Sequence, residues 1–257
     1  MSLAASVFSC SGLEQSEQEK IKKLHAHAEP ILRYAHETFH SISFPEKKER
    51  ERYSWENTKA HQFPKITKEA LRCKGSAKAQ PKILKENSVL IDCQGSDKHS
   101  LPLFDDKEMV YPALLEMLNF LQDHLQKKVV VTAGHRCYAH QAYILGTTSG
   151  AVTKYLIGAQ VDFLVEGISS WSGVVECLKK YFLQTYGEAE EYHLEKVASS
   201  LWQNKEISLK YFTKYEGRNE DNCHDLPYFS LELRHDRAED KKITVHYQQA
   251  IQGYYRF

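Results

Sequence analysis

Two apolar segments frame the middle of the chain. Residues 129–131, a run of three valines, predict a buried strand. Residues 158–163 predict a second strand, in which Asp162 is the one acid within an apolar frame. A carboxylate buried in this way needs an opposite charge, hydrogen-bond donors or a metal ion. The pattern therefore marks Asp162 as a candidate site residue, with Arg136 and His135 upstream as its candidate partners.

Helical spacing of apolar positions recurs at several places along the chain. It predicts helices over residues 14–42, 108–126 and 171–184, with a further candidate helix over residues 190–201. A period of two predicts strands over residues 206–214, 228–234 and 243–247, and a short strand is predicted at residues 89–92. Because helices are mixed with strands of antiparallel character, the predicted class is α+β.

The chain is predicted to consist of an N-terminal region and a main domain. Residues 45–87 are charged and irregular, and the Gly-Ser-containing stretch before Pro81 is typical of a linker. We therefore expect a helical N-terminal region over residues 1–80 and the main domain over residues 81–257. Residues 1–12 are either the remainder of a trimmed export leader or an added start, and the sequence leaves both open.

The composition of the chain bears on three classes of partner: nucleic acid, the membrane and a metal ion bound by cysteines. The 34 basic and 34 acidic residues balance, so bulk charge offers no argument for binding nucleic acid. The sequence contains no apolar run near the roughly 20 residues that a membrane-spanning helix needs. The six cysteines form no Cys-x-x-Cys pair, which argues against a zinc site built from cysteines. Their even number fits disulfides and buried thiols equally.

Three segments resemble a known family. Residues 133–140, AGHRCYAH, are similar to the SGYRSPxH segment of zinc D-alanyl-D-alanine carboxypeptidases and dipeptidases. Residues 153–162, TKYLIGAQVD, are similar to their SxHxxGxAxD segment, and residues 228–234 resemble the late strand with the remaining metal ligand. The likeness spans residues 105–247. It implies the Hedgehog/DD-peptidase fold, a small antiparallel sheet flanked by helices, here with a helical N-terminal extension.

The resemblance also implies roles for individual residues. In the family, one His and one Asp of the second segment and a late His hold zinc, and an Arg contacts the substrate carboxylate. Here Asp162 stands at the Asp position, whereas Tyr155 stands where the His is expected, so the metal site looks degenerate. The resemblance thus implies Arg136 and Glu232 as catalytic residues. The remaining implied residues are Arg136, Tyr155 and Ser230 for substrate, and Asp162 and His235 for metal.

Each of these candidate site residues could instead have a purely structural role. Arg136 could form a core salt bridge with Asp162 or Glu232, Tyr155 could fill the core, and Glu232 could pair with a lysine. His235 follows Glu232 by three positions, so in a strand the two side chains point to opposite faces unless the chain turns between them. His140 is expected on the surface of a helix. His135 and His224 are further candidates if a nonstandard metal site exists.

Two functional interpretations follow. In the first, the chain is a D-alanyl-D-alanine carboxypeptidase-like cell-wall protein, with peptidoglycan stem peptide as partner and zinc as cofactor. Its peptidase activity is expected to be lost or altered, as in a pseudoenzyme that holds no zinc. In the alternative, the same fold serves as a noncatalytic peptide- or peptidoglycan-binding module, or as a protein-interaction protein. The expected location in both is the cell envelope or periplasm.

Overall fold

The computed structural model describes residues 30–34, 37–40, 63–76, 80–84, 89–95, 101–104, 107–147 and 152–245. The chain divides into two compact units, Met1–Arg52 and Tyr53–Phe257. Residues 63–76, which the sequence placed before the predicted boundary near residue 80, thus belong to the second unit. There Leu71 is fully buried in the core, and the backbone N–H of Ile66 donates to Asn119.

The described part of the first unit is a hairpin. Strands β1 (Pro30–Tyr34) and β2 (Glu37–His40) pair antiparallel. The helix predicted over residues 14–42 is therefore wrong at these two segments, and its remaining residues lie outside the described part. The segments are rich in β-branched and aromatic residues, which favour strands, and they begin at Pro30, which cannot donate a helical hydrogen bond.

The second unit is built on a six-stranded antiparallel sheet with the order β7-β8-β12-β11-β10-β9. Its strands are β7 (Val129–Ala133), β8 (Gln160–Val165), β9 (Glu195–Ala198), β10 (Leu201–Gln203), β11 (Ile207–Phe212) and β12 (Tyr228–Leu233). Short two-stranded ribbons join β3 (Lys82–Ile83) to β4 (Val89–Leu90), β5 (Leu103–Phe104) to β6 (Lys107–Glu108), and β13 (His235–Asp236) to β14 (Lys241–Lys242). The strand predicted over residues 243–247 does not form at residues 243–245.

Three α-helices lie within the described residues: α1 (Pro112–Leu125), α2 (Tyr138–Leu145) and α3 (Ser172–Tyr186). Helices α1 and α3 contact each other and bury Leu114, Leu118 and Leu178 in the core that they share with the sheet. None of the helices in the described residues is long and apolar enough to cross a membrane. The arrangement confirms the α+β class, while the Hedgehog/DD-peptidase type stays a prediction.

The two faces of the sheet differ in chemistry because side chains alternate along each strand. On one face Leu209 of β11, Leu231 of β12 and Phe163 of β8 are buried in the core. Positions between them place Lys210, Ser230 and Asp162, among others, on the other face, where they line a cleft. One face of the sheet thus packs in the hydrophobic core, and the other face carries the polar side chains of the cleft.

The far edge of the sheet is formed by β9. All four of its residues are exposed, and its pairing with β10 shifts register between Leu201 and Trp202. The helix considered over residues 190–201 is therefore wrong, since a 3-10 turn at Glu190–Tyr192 leads into two strands. An exposed strand buries neither face, so its sequence carries no period of two by which to recognise it.

Candidate functional site

A cleft of about 360 Å³ lies on the polar face of the sheet. Strands β8, β11 and β12 form its floor, and residues from the loops that follow β7 and β11 close its sides. Ser230 of β12 is paired directly with Asp162 of β8, which places the two side chains next to each other on the same face. Five residues singled out from the sequence line this cleft: Arg136, Tyr155, Asp162, Ser230 and Glu232.

Asp162 lies at the base of the cleft with its side chain 3% exposed. The Tyr155 hydroxyl donates to its Oδ1 at 2.5 Å, and the Asn222 amide donates to its Oδ2 at 2.9 Å. Arg136 adds a longer contact to Oδ2 at 3.4 Å. Both carboxylate oxygens therefore accept hydrogen bonds from protein groups, which is what a buried carboxylate requires.

Arg136 is held inside the protein by its neighbours. Its Nε donates to Asp221 at 2.7 Å, one terminal nitrogen donates to Gln141 at 3.2 Å, and the other contacts Asp162. The guanidinium also lies 3.8 Å from the centre of the Tyr155 ring. The Arg136 guanidinium was expected to bind a substrate carboxylate. It already contacts two carboxylates of the chain itself, those of Asp221 and Asp162.

Burial and charge set the protonation of these groups. Burial raises the pKa of Asp162, although the Arg136 charge and the bonds from Tyr155 and Asn222 act in the opposite direction. Burial likewise raises the pKa of Tyr155 well above its ordinary value, so the phenol stays neutral and acts as a donor. For Arg136, burial acts to lower the pKa, but the carboxylates of Asp162 and Asp221 outweigh it and raise the pKa.

These residues do not fit a zinc ion. Zinc sites in proteins are built from thiolates, imidazoles and carboxylates. Around Asp162 the neighbouring oxygens belong to Tyr155, a neutral phenol, and to Ser230, whose hydroxyl lies 3.2 Å from that phenol. The carboxylate is moreover already engaged by Tyr155, Asn222 and Arg136. The chemistry expected of zinc at this position therefore has no donor set to support it.

The other predicted residues lie further from Asp162. Glu232 is at the rim of the cleft and forms an ion pair with Lys154 at 2.8 Å, which matches the plainer role considered for it. His235 lies in β13, beyond the end of β12, and its ring is 3.3 Å from Asp240. His235 is not among the residues that line the cleft. The structure thus brings Asp162 together with Tyr155 and Ser230, and it places His235 elsewhere.

Asp221, Asn222 and Gln141 were not singled out from the sequence. Asp221 and Asn222 lie in the polar loop between β11 and β12, and Gln141 lies on α2. Nothing in a polar loop sequence shows that two of its side chains turn inward. The one available signal was the lone Asp162 in an apolar strand, because such a carboxylate requires partners from elsewhere in the chain.

His140 is buried, and its expected position on a helix surface is wrong. It lies in the first turn of α2, where one ring nitrogen contacts Asp92 and the other lies 2.8 Å from Asp221. Burial acts to lower the pKa of His140, but Asp221 and Asp92 outweigh it and raise the pKa to about 9. Asp221 therefore lies between His140 on one side and Arg136 on the other.

A second polar cluster adjoins His140. The sulfur atoms of Cys73, Cys93 and Cys137 lie within 4.8 Å of one another, and so do ligand atoms of Asp92, Cys93 and His140. These groups could hold a metal ion, although the spacing of the cysteines along the chain argued against a zinc site built from them. That argument rested on close spacing along the chain, whereas three separate segments bring these thiols together.

Comparison of the chain with protein-family models, with curated proteins and with solved structures finds no match. The resemblance to the D-alanyl-D-alanine peptidases therefore stays a prediction that rests on the quoted residues.

Proposed function

We propose that this chain is a D-alanyl-D-alanine carboxypeptidase-like protein of the cell envelope that has lost zinc-dependent peptidase activity. In this proposal it binds a peptide of the peptidoglycan stem type in the cleft on the polar face of the sheet. The observation that carries the proposal is the closed hydrogen-bond network of Asp162. At the position where the family resemblance implies zinc, the carboxylate is held by Tyr155, Asn222 and Arg136 instead.

The cleft has groups that suit an extended peptide. Its volume of about 360 Å³ lies within the range of roughly 300–1,000 Å³ that is typical of small-ligand sites. Ser208, Gln160 and Ser230 supply hydroxyl and amide groups for peptide hydrogen bonds along the strands. By strand register, Ser208 and Gln160 lie in one row across the floor with Glu232 between them, and Ser230 lies in the next row between Lys210 and Asp162. A peptide across the floor would therefore meet polar groups from both rows.

Lys210 is the cation that we assign to the terminal carboxylate of the peptide. It is exposed on the cleft face of β11, and its ammonium lies 4.7 Å from the centre of the Phe212 ring. Arg136 was expected to bind this carboxylate, but its guanidinium already contacts Asp221, Gln141 and Asp162. A carboxylate that enters the cleft therefore meets Lys210 as the accessible positive charge of the lining.

Binding and hydrolysis can be measured together on the full chain. We expect a peptide that ends in D-Ala-D-Ala to bind in titration calorimetry, without release of D-alanine even when zinc is added. Lys210→Gln should weaken binding by about tenfold, which corresponds to roughly 1.4 kcal/mol. Lys179→Gln on α3, outside the cleft, is the matched control and should leave binding unchanged. Zinc-dependent release of D-alanine, or no binding by the unaltered chain, would contradict the proposal.

A gain-of-site variant tests the assignment of the lost metal position. Tyr155→His combined with Ser230→His places two imidazoles beside Asp162, which is the ligand type that zinc requires. We expect this variant to bind one zinc ion per chain beyond what the unaltered protein binds, measured by elemental analysis. Tyr155→Phe combined with Ser230→Ala is the control and should gain none. Equal zinc content in the two variants would show that this position is not an ancestral metal site.

A further inference from the structure

The cysteine cluster is assembled from three separate segments of the second unit. Cys73 follows the 3-10 turn Lys68–Leu71, Cys93 follows β4, and Cys137 is the N-cap residue of α2. The sulfurs of Cys73 and Cys93 are 3.7 Å apart, far more than the roughly 2.05 Å of a disulfide. Two thiolates on one tetrahedral zinc, each at about 2.3 Å, lie about 3.8 Å apart. The observed separation, at which the two thiols form a hydrogen bond with each other, also fits two ligands of one ion.

Two glycine turns hold the first two sulfurs in place. Each cysteine begins a Cys-x-Gly sequence, Cys73-Lys74-Gly75 and Cys93-Gln94-Gly95, and both glycines have a positive φ, +54° and +64°. A Cβ built on Gly95 would lie 1.8 Å from the Lys74 carbonyl oxygen, and one on Gly75 would lie 2.1 Å from the Gly95 nitrogen. The two backbones are therefore in direct contact, which only glycine allows.

Backbone donors point at two of the sulfurs. The N–H of Gly95 donates to the Cys93 sulfur, and the N–H of His140 donates to the Cys137 sulfur, each at 3.4 Å. Cys137 also lies at the N-terminus of α2, where the helix dipole favours a negative charge. Hydrogen bonds and dipoles of this kind stabilise thiolates, which are the forms that bind metal.

The candidate fourth ligand, His140, lies in the first turn of α2. His140 follows Cys137 by three positions, so the two side chains share one side of the helix. A ring nitrogen of His140 lies within 4.8 Å of the Cys93 sulfur. In the structure the Nδ1 of His140 contacts Asp92 and its Nε2 contacts Asp221. Ligand histidines commonly bond a carboxylate through the second ring nitrogen, which fixes the orientation of the ring. Asp221 is positioned for that role.

We propose that Cys73, Cys93, Cys137 and His140 bind a structural zinc ion that fastens α2 to the two glycine turns. The ion would bind the three thiolate sulfurs, and the Nδ1 of His140 would release Asp92 to take the fourth position, with the protons of the three thiols and of Nδ1 passing to solvent. This site is separate from the cleft, since none of its four ligands lines that cavity. It does not depend on the proposed peptide binding.

Metal content and a cobalt spectrum test this site on the full chain, purified under reducing conditions. We expect one zinc ion per chain, and replacement by cobalt should give thiolate-to-cobalt charge-transfer bands with the intense visible bands of a tetrahedral site. Cys73→Ser, Cys93→Ser and Cys137→Ser should each lose the metal. Cys223→Ser, which changes an exposed cysteine outside the cluster, is the matched control and should keep it.

Chelation gives a readout that does not depend on how well the variants fold. Removing zinc from the unaltered protein should lower Tm by about 5 °C or more, and adding zinc back should restore it. The proposal is overturned if the unaltered chain holds no zinc and cobalt gives no thiolate band. It is equally overturned if peptide mapping finds a Cys73–Cys93 disulfide, or if Asp162→Ala, and not the cysteine variants, removes the metal.

Discussion

Two polar clusters lie close together in this protein, and they differ in the kind of atom that they present. The cluster around Asp162 consists of oxygens and a guanidinium, all engaged with one another. The cluster around Cys93 presents sulfurs and an imidazole, the groups that zinc prefers. Asp221 contacts both clusters, since it bonds Arg136 on one side and His140 on the other.

The difference teaches that a sequence motif and a donor set are separate properties. The segments that resemble the peptidases all contribute to the first cluster, where the groups around the Asp162 carboxylate are a phenol, a hydroxyl, an amide and a guanidinium. Sulfur and imidazole donors occur in the second cluster, where Cys137 and His140 belong to the first of these segments and Cys73 and Cys93 lie outside all three. What a site can bind follows from which atoms meet there, not from the motif in which they occur.

The largest decrease in the free energy of unfolding is expected from Arg136→Met. This change leaves the buried carboxylate of Asp162 without a cation and Asp221 with His140 alone, and removing one partner of a buried ion pair costs about 3–5 kcal/mol. The loss should appear in the free energy of unfolding measured with urea. Lys128→Met, which removes an exposed ion pair with Glu166, is the control and should cost less than about 1 kcal/mol. Similar losses in both variants would mean that the Asp162 cluster is not a closed charge network.

A smaller decrease in the free energy of unfolding is expected from Gly95→Ala. This variant tests the close backbone contact between the two glycine turns of the cysteine cluster. The added methyl group would overlap the Lys74 carbonyl, and alanine also disfavours the positive φ, so we expect a cost of about 2–3 kcal/mol in metal-free protein. Gly146→Ala is the matched control, because Gly146 also has a positive φ but nothing lies within 4 Å of its Cβ position. Its cost should be about 1 kcal/mol. Equal costs would argue against close packing of the two turns.

The smallest decrease in stability is expected from Tyr155→Phe. Loss of the hydroxyl leaves one oxygen of Asp162 without its donor, which costs about 1–3 kcal/mol for a buried group. Tyr211→Phe removes an exposed hydrogen bond to the Ser169 carbonyl and should cost less. Thermal unfolding of both variants provides the comparison. If Tyr155→Phe stabilised the protein, the phenol would not be needed to hold the carboxylate.

Periodic segments were predicted well from the sequence. The strands β7, β8, β11 and β12 and the helices α1 and α3 were predicted to within a few residues. Their apolar positions form short runs or recur at the spacing of a strand or a helix, and such patterns can be recognised in the sequence. The pairing of Ser230 with Asp162 could not be predicted with them. Register depends on contacts between strands that are far apart in the chain.

The cysteine cluster shows why some of the site was missed. Cys73 and Cys93 are 20 residues apart, and Cys137 comes from a third segment, so no compact spacing marks the three as ligands. Signals were nevertheless present in the repeated Cys-x-Gly sequence and in Cys137-x-x-His140. Each is short enough to occur by chance, and only the contact between the two turns shows that they belong together.

The exposed outer strand β9 has a consequence for how copies of this protein meet. The edge of a sheet presents unpaired backbone groups to which a strand of another molecule can add, which is a route to aggregation. Here that edge is only four residues long, carries Glu195 and Lys196, and joins its neighbour through a shifted register. A short, charged and irregular edge is a poor template, so the sheet is protected against growth from molecule to molecule on this side.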